Sequence, residues 1–252
     1  MLARRSQTLA VIRSIHAAKR TECGVSYSQL MPIDEARWAF TSAYAREVFG
    51  QEPHHLRANR RAAERAGLPS WAITPEVGSL LALLASTTVG RSCLQIGTLG
   101  GYSTLWLLEG MRPHARIITL ESDDAHADFA EREFARHGVE ERVELRRGAA
   151  LDLLPEIAQA LGPESLDVVF IDADKASYPD YYEATAGLVA PTGLLLVDNI
   201  FGTSGTWIDD LGHPEAAAID RMNRRAASDD RFEAAGVFVR EGLLVARRRQ
   251  RP

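Results

Sequence analysis

The chain has 252 residues, 46% of them hydrophobic, and a net charge of −5. That fits one α/β domain, or a domain with an extension. Both signs of charge are interspersed, which leaves no basic face for a nucleic acid or other polyanion. The two cysteines, Cys23 and Cys93, give neither a disulfide framework nor a metal spacing. No uncharged apolar run reaches membrane-spanning length, so a soluble cytoplasmic protein without a membrane partner is expected.

Residues 1–21 hold five basic residues (Arg4, Arg5, Arg13, Lys19, Arg20) and no acid. Such a stretch suits a transit peptide, a docking helix or leader sequence upstream of the true start. We therefore set residues 1–30 apart as an extension and take 31–252 as one domain with N-terminal helices. Helices are expected over 34–48 and 56–66. His54 and His55, beside Pro53, are expected in a surface loop. Thr74-Pro75-Glu76 has a cap, a first-turn proline and an acid at the positive end of the dipole, so a helix should run to about Ser86. Trp71 and Ile73 precede it and suit either a pocket wall or the core.

Ser92–Ile96 reads as a strand, followed by Gly97-Thr98-Leu99-Gly100-Gly101-Tyr102-Ser103 and a helix from Thr104. Glycine lets backbone approach a ligand closely, and strand–glycine turn–helix is how many sheets cradle a nucleotide. The spacing is not that of the dinucleotide fingerprint, which disfavours a nicotinamide-dependent oxidoreductase. Ala115–Leu120 reads as the second strand, ending at Glu121. An acid there can accept both hydroxyls of a ribose. Ser122 is the expected cap of the next helix. A short third strand covers Val143–Leu145, and Ala149-Ala150 leave room for a flat ring before a helix over 151–161.

The most informative stretch is 166–199. Leu-Asp-Val-Val-Phe-Ile (166–171) and Gly-Leu-Leu-Leu-Val (193–197) are short, apolar and lack alternation, as strands buried on both faces of a parallel sheet do. A crossover helix over 178–190 would bring both C-terminal ends to one sheet edge, where ligands of open α/β sheets bind. The first run ends in Asp172-Ala173-Asp174-Lys175 and the second in Asp198-Asn199. Asp172, Asp198 and Asn199 are hard oxygen donors, suited to Mg²⁺ or a similar cation. A cation beside Lys175 would disfavour its protonated form, and the amine could then take a proton from an acceptor hydroxyl. Residues 201–207, including Trp207, read as a flexible loop able to cover a substrate, with Asp209 and Asp210 solvated. A helix over 215–228 and a hairpin of Phe232–Val239 and Gly242–Ala246 complete the chain, the hairpin placing an antiparallel strand at the sheet edge.

Three motifs in order, Gln-Ile-Gly-Thr-Leu-Gly-Gly-Tyr-Ser-Thr-Leu (95–105), Phe-Ile-Asp-Ala-Asp-Lys (170–175) and Leu-Val-Asp-Asn (196–199), resemble the cation-dependent O-methyltransferases of the catechol and caffeoyl-coenzyme A type. The resemblance runs from about Met31 to Arg247. It implies a class I, Rossmann-like fold with a mostly parallel seven-stranded sheet, an antiparallel edge strand and helices on both faces. It also implies S-adenosyl-L-methionine as methyl donor and Mg²⁺, Mn²⁺ or Ca²⁺ on Asp172, Asp198 and Asn199. Lys175 falls on the base position, with Asp172 beside it. Gly97, Tyr102, Ser103 and Glu121 fall on cofactor positions, with Ile73, Gln95, Ala150, Asp172 and Asp174 around them. Lys175, Asn199 and Trp207 would face the acceptor, a small phenol with adjacent hydroxyls. Members are commonly homodimers. A non-catalytic S-adenosylmethionine-binding protein on the same scaffold is the alternative. The chain departs from the family pattern at Gln95, where Glu is frequent. It departs again at Leu99-Gly100-Gly101, and at Val239-Arg240-Glu241-Gly242, which replaces a Gly-Asp-Gly type of turn.

Overall fold

Seven strands form one sheet in the order β3-β2-β1-β4-β5-β7-β6 in a computed structural model, which describes residues 35–203 and 205–250. The strands are β1 (Ser92–Ile96), β2 (Arg116–Glu121), β3 (Val143–Arg147), β4 (Leu166–Ile171), β5 (Val189–Asp198), β6 (Phe232–Val237) and β7 (Leu243–Arg248). Pairing from β3 through β5 is parallel, and β7 runs antiparallel to both β5 and β6. The expected antiparallel strand is therefore present but lies one place inside the edge, which β6 occupies. The hairpin folds back so that β7 buries itself against β5, leaving the more exposed β6 outermost.

The unalternating apolar runs have a simple cause. Successive side chains of a strand point to opposite faces, and here both faces are covered. Leu94, Ile96, Val169, Ile171, Leu195 and Val197 pack with helices α6 (Ala150–Leu161), α7 (Tyr178–Ala186) and α8 (Pro214–Ala227). Their neighbours Cys93, Val168, Phe170, Leu194 and Leu196 pack with α3 (Pro75–Ser86) and α4 (Tyr102–Gly110). Helix α5 (Asp124–Arg136) adds Ala130 and Phe134 to this second layer.

The chain divides into two units at Thr41 and Ser42. Residues 35–41 are the opening turns of α1 (Glu35–Phe49), and the second unit carries the whole sheet. The extension assigned to residues 1–30 lies outside the described residues.

Several expectations need correction. His54 and His55 open helix α2 (His54–Arg65) instead of lying in a loop, because Pro53 precedes the first helical residue and His55 pairs with Glu109 at 2.9 Å. Asp123, not Ser122, caps α5 by accepting from the His126 amide at 2.9 Å. Thr74 holds the N-cap position of α3, but its hydroxyl is buried and makes no cap bond. The crossover helix stops at Ala186, and β5 starts early, at Val189, with a register shift before Leu194. Among the described residues no helix is long and apolar enough to cross a membrane.

Candidate active site

Register lines up the functional side chains. Ile96 pairs with Leu120 on one side and Ile171 on the other, and Ile171 pairs with Val197. The next residues of four neighbouring strands, Gly97, Glu121, Asp172 and Asp198, thus leave the sheet abreast at its carboxyl edge. The chain reverses its lateral direction between β1 and β4, and a crevice opens at such a switch point.

On the β1–β2 side the polar groups are tied to one another. Gly97 sits at φ 92°, and a Cβ there would stand 2.0 Å from the Asp172 carbonyl oxygen. Only glycine permits this closeness of two strand ends. The Glu121 carboxylate accepts from the amides of Thr98 (3.2 Å) and Leu99 (2.7 Å) with one oxygen and of Asp123 (2.9 Å) with the other. It therefore fixes the glycine turn, in the place where a ribose hydroxyl pair is expected. Gln95, fully buried, donates to the Gly97 carbonyl (2.7 Å) and Ser103 Oγ (2.9 Å) and accepts from Thr104 Oγ1 (2.9 Å). Its amide braces the turn against α4, and a carboxylate could not make the bond to the Gly97 carbonyl.

The remaining cofactor candidates separate. Ile73 is buried and Trp71 exposed; Ala150 is buried at the start of α6. Tyr102 is buried, but its hydroxyl donates to Glu52 at 2.7 Å, and burial foremost pushes that hydroxyl's pKa up. Glu52 in turn takes two bonds of 3.0 Å from Arg60. Asp174 is exposed and accepts from the Tyr181 hydroxyl.

The β4–β5 side is built differently. Asp198 is fully buried, and neither carboxylate oxygen has a hydrogen-bond partner. Burial first, then the charge of Asp172, push its carboxyl up to about 7, against the pull of Arg240 and Lys175. A buried carboxylate in this condition costs several kcal/mol unless something positive compensates it. Asn199 follows in the left-handed region, at φ 59°, a conformation that asparagine tolerates better than most residues. Lys175, itself buried, donates to Asp172 Oδ1 at 2.9 Å and to the Tyr178 hydroxyl at 2.6 Å. That hydroxyl donates to the Asp198 backbone carbonyl at 2.9 Å. Burial, followed by Asp172 and Asp198, raises the Tyr178 hydroxyl well above its ordinary range.

Sequence reasoning missed Tyr178 and read it only as the start of a helix. Its spacing of three residues from Lys175 was the available signal. The loop after Asn199 is more ordered than expected: Gly202 and Trp207 form an antiparallel bridge, and Ile208 N donates to the Phe201 carbonyl at 2.8 Å. Trp207 remains 43% exposed, and Asp209 and Asp210 are exposed as expected.

Among the described residues, no three His, Cys, Asp or Glu side chains gather as a metal-holding cluster. The candidate donors are two carboxylates and an amide. Unpartnered buried oxygens on Asp198 beside a second carboxylate suit a hard divalent cation.

The O-methyltransferase family model matches residues 45–249. The chain belongs to that family. It is 31% identical over 208 residues to a catechol O-methyltransferase of Niastella koreensis, covering 81% of this chain and 94% of the relative. It is 41% identical over 158 residues to a catechol O-methyltransferase of Mycobacterium tuberculosis, covering 63% and 70%. A Bacillus cereus O-methyltransferase solved in complex with SAH superposes with TM-score 0.76 at 30% identity, covering 85% of this chain and 99% of that one. These relations confirm the class I methyltransferase fold and an O-methyltransferase activity.

Proposed function

We propose that this O-methyltransferase moves a methyl group from S-adenosyl-L-methionine to one hydroxyl of a small aromatic bearing two adjacent hydroxyls, with a divalent cation held by Asp172, Asp198 and Asn199. The observation that carries this reading is the buried Asp198 carboxylate, unpartnered and level with Asp172. The relatives named for catechol support the acceptor class, and the SAH of the solved neighbour, the product left when the donor has given up its methyl, supports the donor. The homodimer is carried over from the family resemblance alone, and the cytoplasmic location from the sequence's lack of a membrane-spanning run.

The donor supplies an activated methyl, and a dication supplies acidity and a fixed position to an acceptor hydroxyl. The chain's own residues must do the rest. The glycine turn, held open at Gly97 and fixed by Glu121 and Gln95, fits the donor's nucleoside, with Glu121 placed to accept from ribose and Ala150 leaving space beside it. Lys175 is the group able to take the acceptor's proton. Its Nζ is held between Asp172 Oδ1 and the Tyr178 hydroxyl, so its lone pair, once free, has a defined direction. Fixing the two reactants on adjacent strand ends should provide much of the rate, since well-oriented reactions gain as much as about 7–11 kcal/mol.

The test is methyl transfer to catechol by purified protein with Mg²⁺ and S-adenosylmethionine, with and without chelator. Methylated catechol that disappears on chelation is expected. Absence of transfer, or transfer indifferent to chelator, contradicts the reading.

A further inference from the structure

Among the described residues, Arg240 lies beside the site and is left unused by the proposed chemistry. It lies in the β6–β7 turn, where Gly242 N donates to the Val239 carbonyl at 2.7 Å. Leu243 pairs with Asp198, so the turn projects past the carboxyl end of β5. Two further bonds fasten it there: Phe201 N donates to the Glu241 carbonyl at 2.8 Å and Ile200 N to the Gly242 carbonyl at 3.2 Å. Arg240 itself stands at φ 49°, a conformation costly for a long side chain and usually held by its surroundings.

The guanidinium does not turn to water. Its side chain is only 26% exposed. Nε pairs with Glu241 at 2.6 Å, and Nη1 makes a long bond of 3.5 Å to the Ala72 carbonyl, next to Ile73. Arginine has five donors in a planar fork; the Ala72 bond takes one Nη1 hydrogen and Glu241 sits against Nε, which leaves the Nη2 hydrogens and the second Nη1 hydrogen unspent. A carboxylate on the acceptor would accept from those unspent donors, and the fork matches a carboxylate geometrically.

We propose that Arg240 is a specificity residue that binds a carboxylate substituent, so that the preferred acceptor is a vicinal-dihydroxy aromatic acid. The inference rests on the proposed function in seating the acceptor's hydroxyls against Asp172 and Asp198.

The experiment compares 3,4-dihydroxybenzoate with catechol on wild type, Arg240→Gln and Arg240→Lys, by steady-state kinetics and by calorimetric binding with Mg²⁺ and SAH present. Unchanged melting temperatures would establish that the variants fold. Arg240→Gln should lower the acid-over-catechol ratio of kcat/KM at least tenfold, through KM, and weaken binding of the acid similarly. Arg240→Lys should restore part of the ratio. If transfer to catechol is intact but the ratio does not move in Arg240→Gln, the inference fails and the proposed function stands. If neither compound is methylated, yet the acid binds wild type tenfold tighter than Arg240→Gln, the carboxylate-binding role of Arg240 stands and the proposed function fails. If wild type neither binds nor methylates either probe, both are overturned.

Discussion

The two halves of the carboxyl edge differ in how their polar groups are satisfied. On the β1–β2 side, Gln95, Glu121 and Thr98 are satisfied by bonds to the glycine turn and its neighbours, with nothing added. On the β4–β5 side, Asp198 is buried with both oxygens unpartnered, and Lys175 bonds to the neighbouring Asp172. One half is a finished frame into which a ligand can settle. The other carries an electrostatic deficit that a cation would relieve, and the sheet's packing sustains that cost. Rigidity and reactivity are thus divided between neighbouring strands.

The largest expected effect separates chemistry from frame. Lys175→Ala should reduce kcat by about 10²–10⁴-fold, the range for a lost general base, with donor affinity nearly unchanged; parallel kcat and calorimetric measurements check it. Equal loss in both would remove Lys175 from the proton-transfer role. Gly97→Ala attacks the frame where both halves meet. A Cβ 2.0 Å from the Asp172 carbonyl oxygen forces backbone to move, and destabilisation of about 3 kcal/mol or more is expected in denaturant unfolding. A near-neutral change would mean that the strand ends are not held that close.

Two isosteric swaps should move stability in opposite directions. Gln95→Glu removes a donor from the Gly97 carbonyl and buries a charge, so a loss of about 1–3 kcal/mol is expected. Asp198→Asn removes an uncompensated buried charge, so the metal-free protein should become more stable, by about 1 kcal/mol or more. Melting curves in chelator read both. Changes of the same sign would erase the contrast between the halves.

A smaller effect concerns pH, away from the site. The Arg231 guanidinium, bonded to Asp229 at 2.6 Å, holds that carboxyl well below the usual range. Because the folded state lowers the pKa, the stability this provides is complete above the unfolded value of about 3.9 and is lost as pH falls below it. Asp229→Asn should therefore flatten the acid limb of the stability curve below about pH 4 and leave its shape near pH 7 unaltered.

What the sequence revealed follows from where the information resides. The runs at 166–171 and 193–197 declared two-face burial directly, and their polar ends declared the edge that carries Asp172 and Asp198. Gly97 and Glu121 were legible for the same reason: each directly follows or ends a strand. Arg240 was not, because its place depends on Leu243 pairing with Asp198, 45 residues apart in the chain, and nothing local encodes that pairing. Tyr178 was hidden because a tyrosine opening a helix looks like core, and only the Lys175 and Asp198 bonds reveal its use. Gln95 read as a cofactor ligand departing from the family's usual Glu until its amide was seen to tie the turn to α4.

The most direct measurement is titration of Mn²⁺ into the protein, with free ion followed by electron paramagnetic resonance, for wild type and Asp198→Asn. The account predicts one tight ion per chain in wild type and none in the variant, with the variant still folded. Absence of binding to wild type, or equal binding to both proteins, would contradict it.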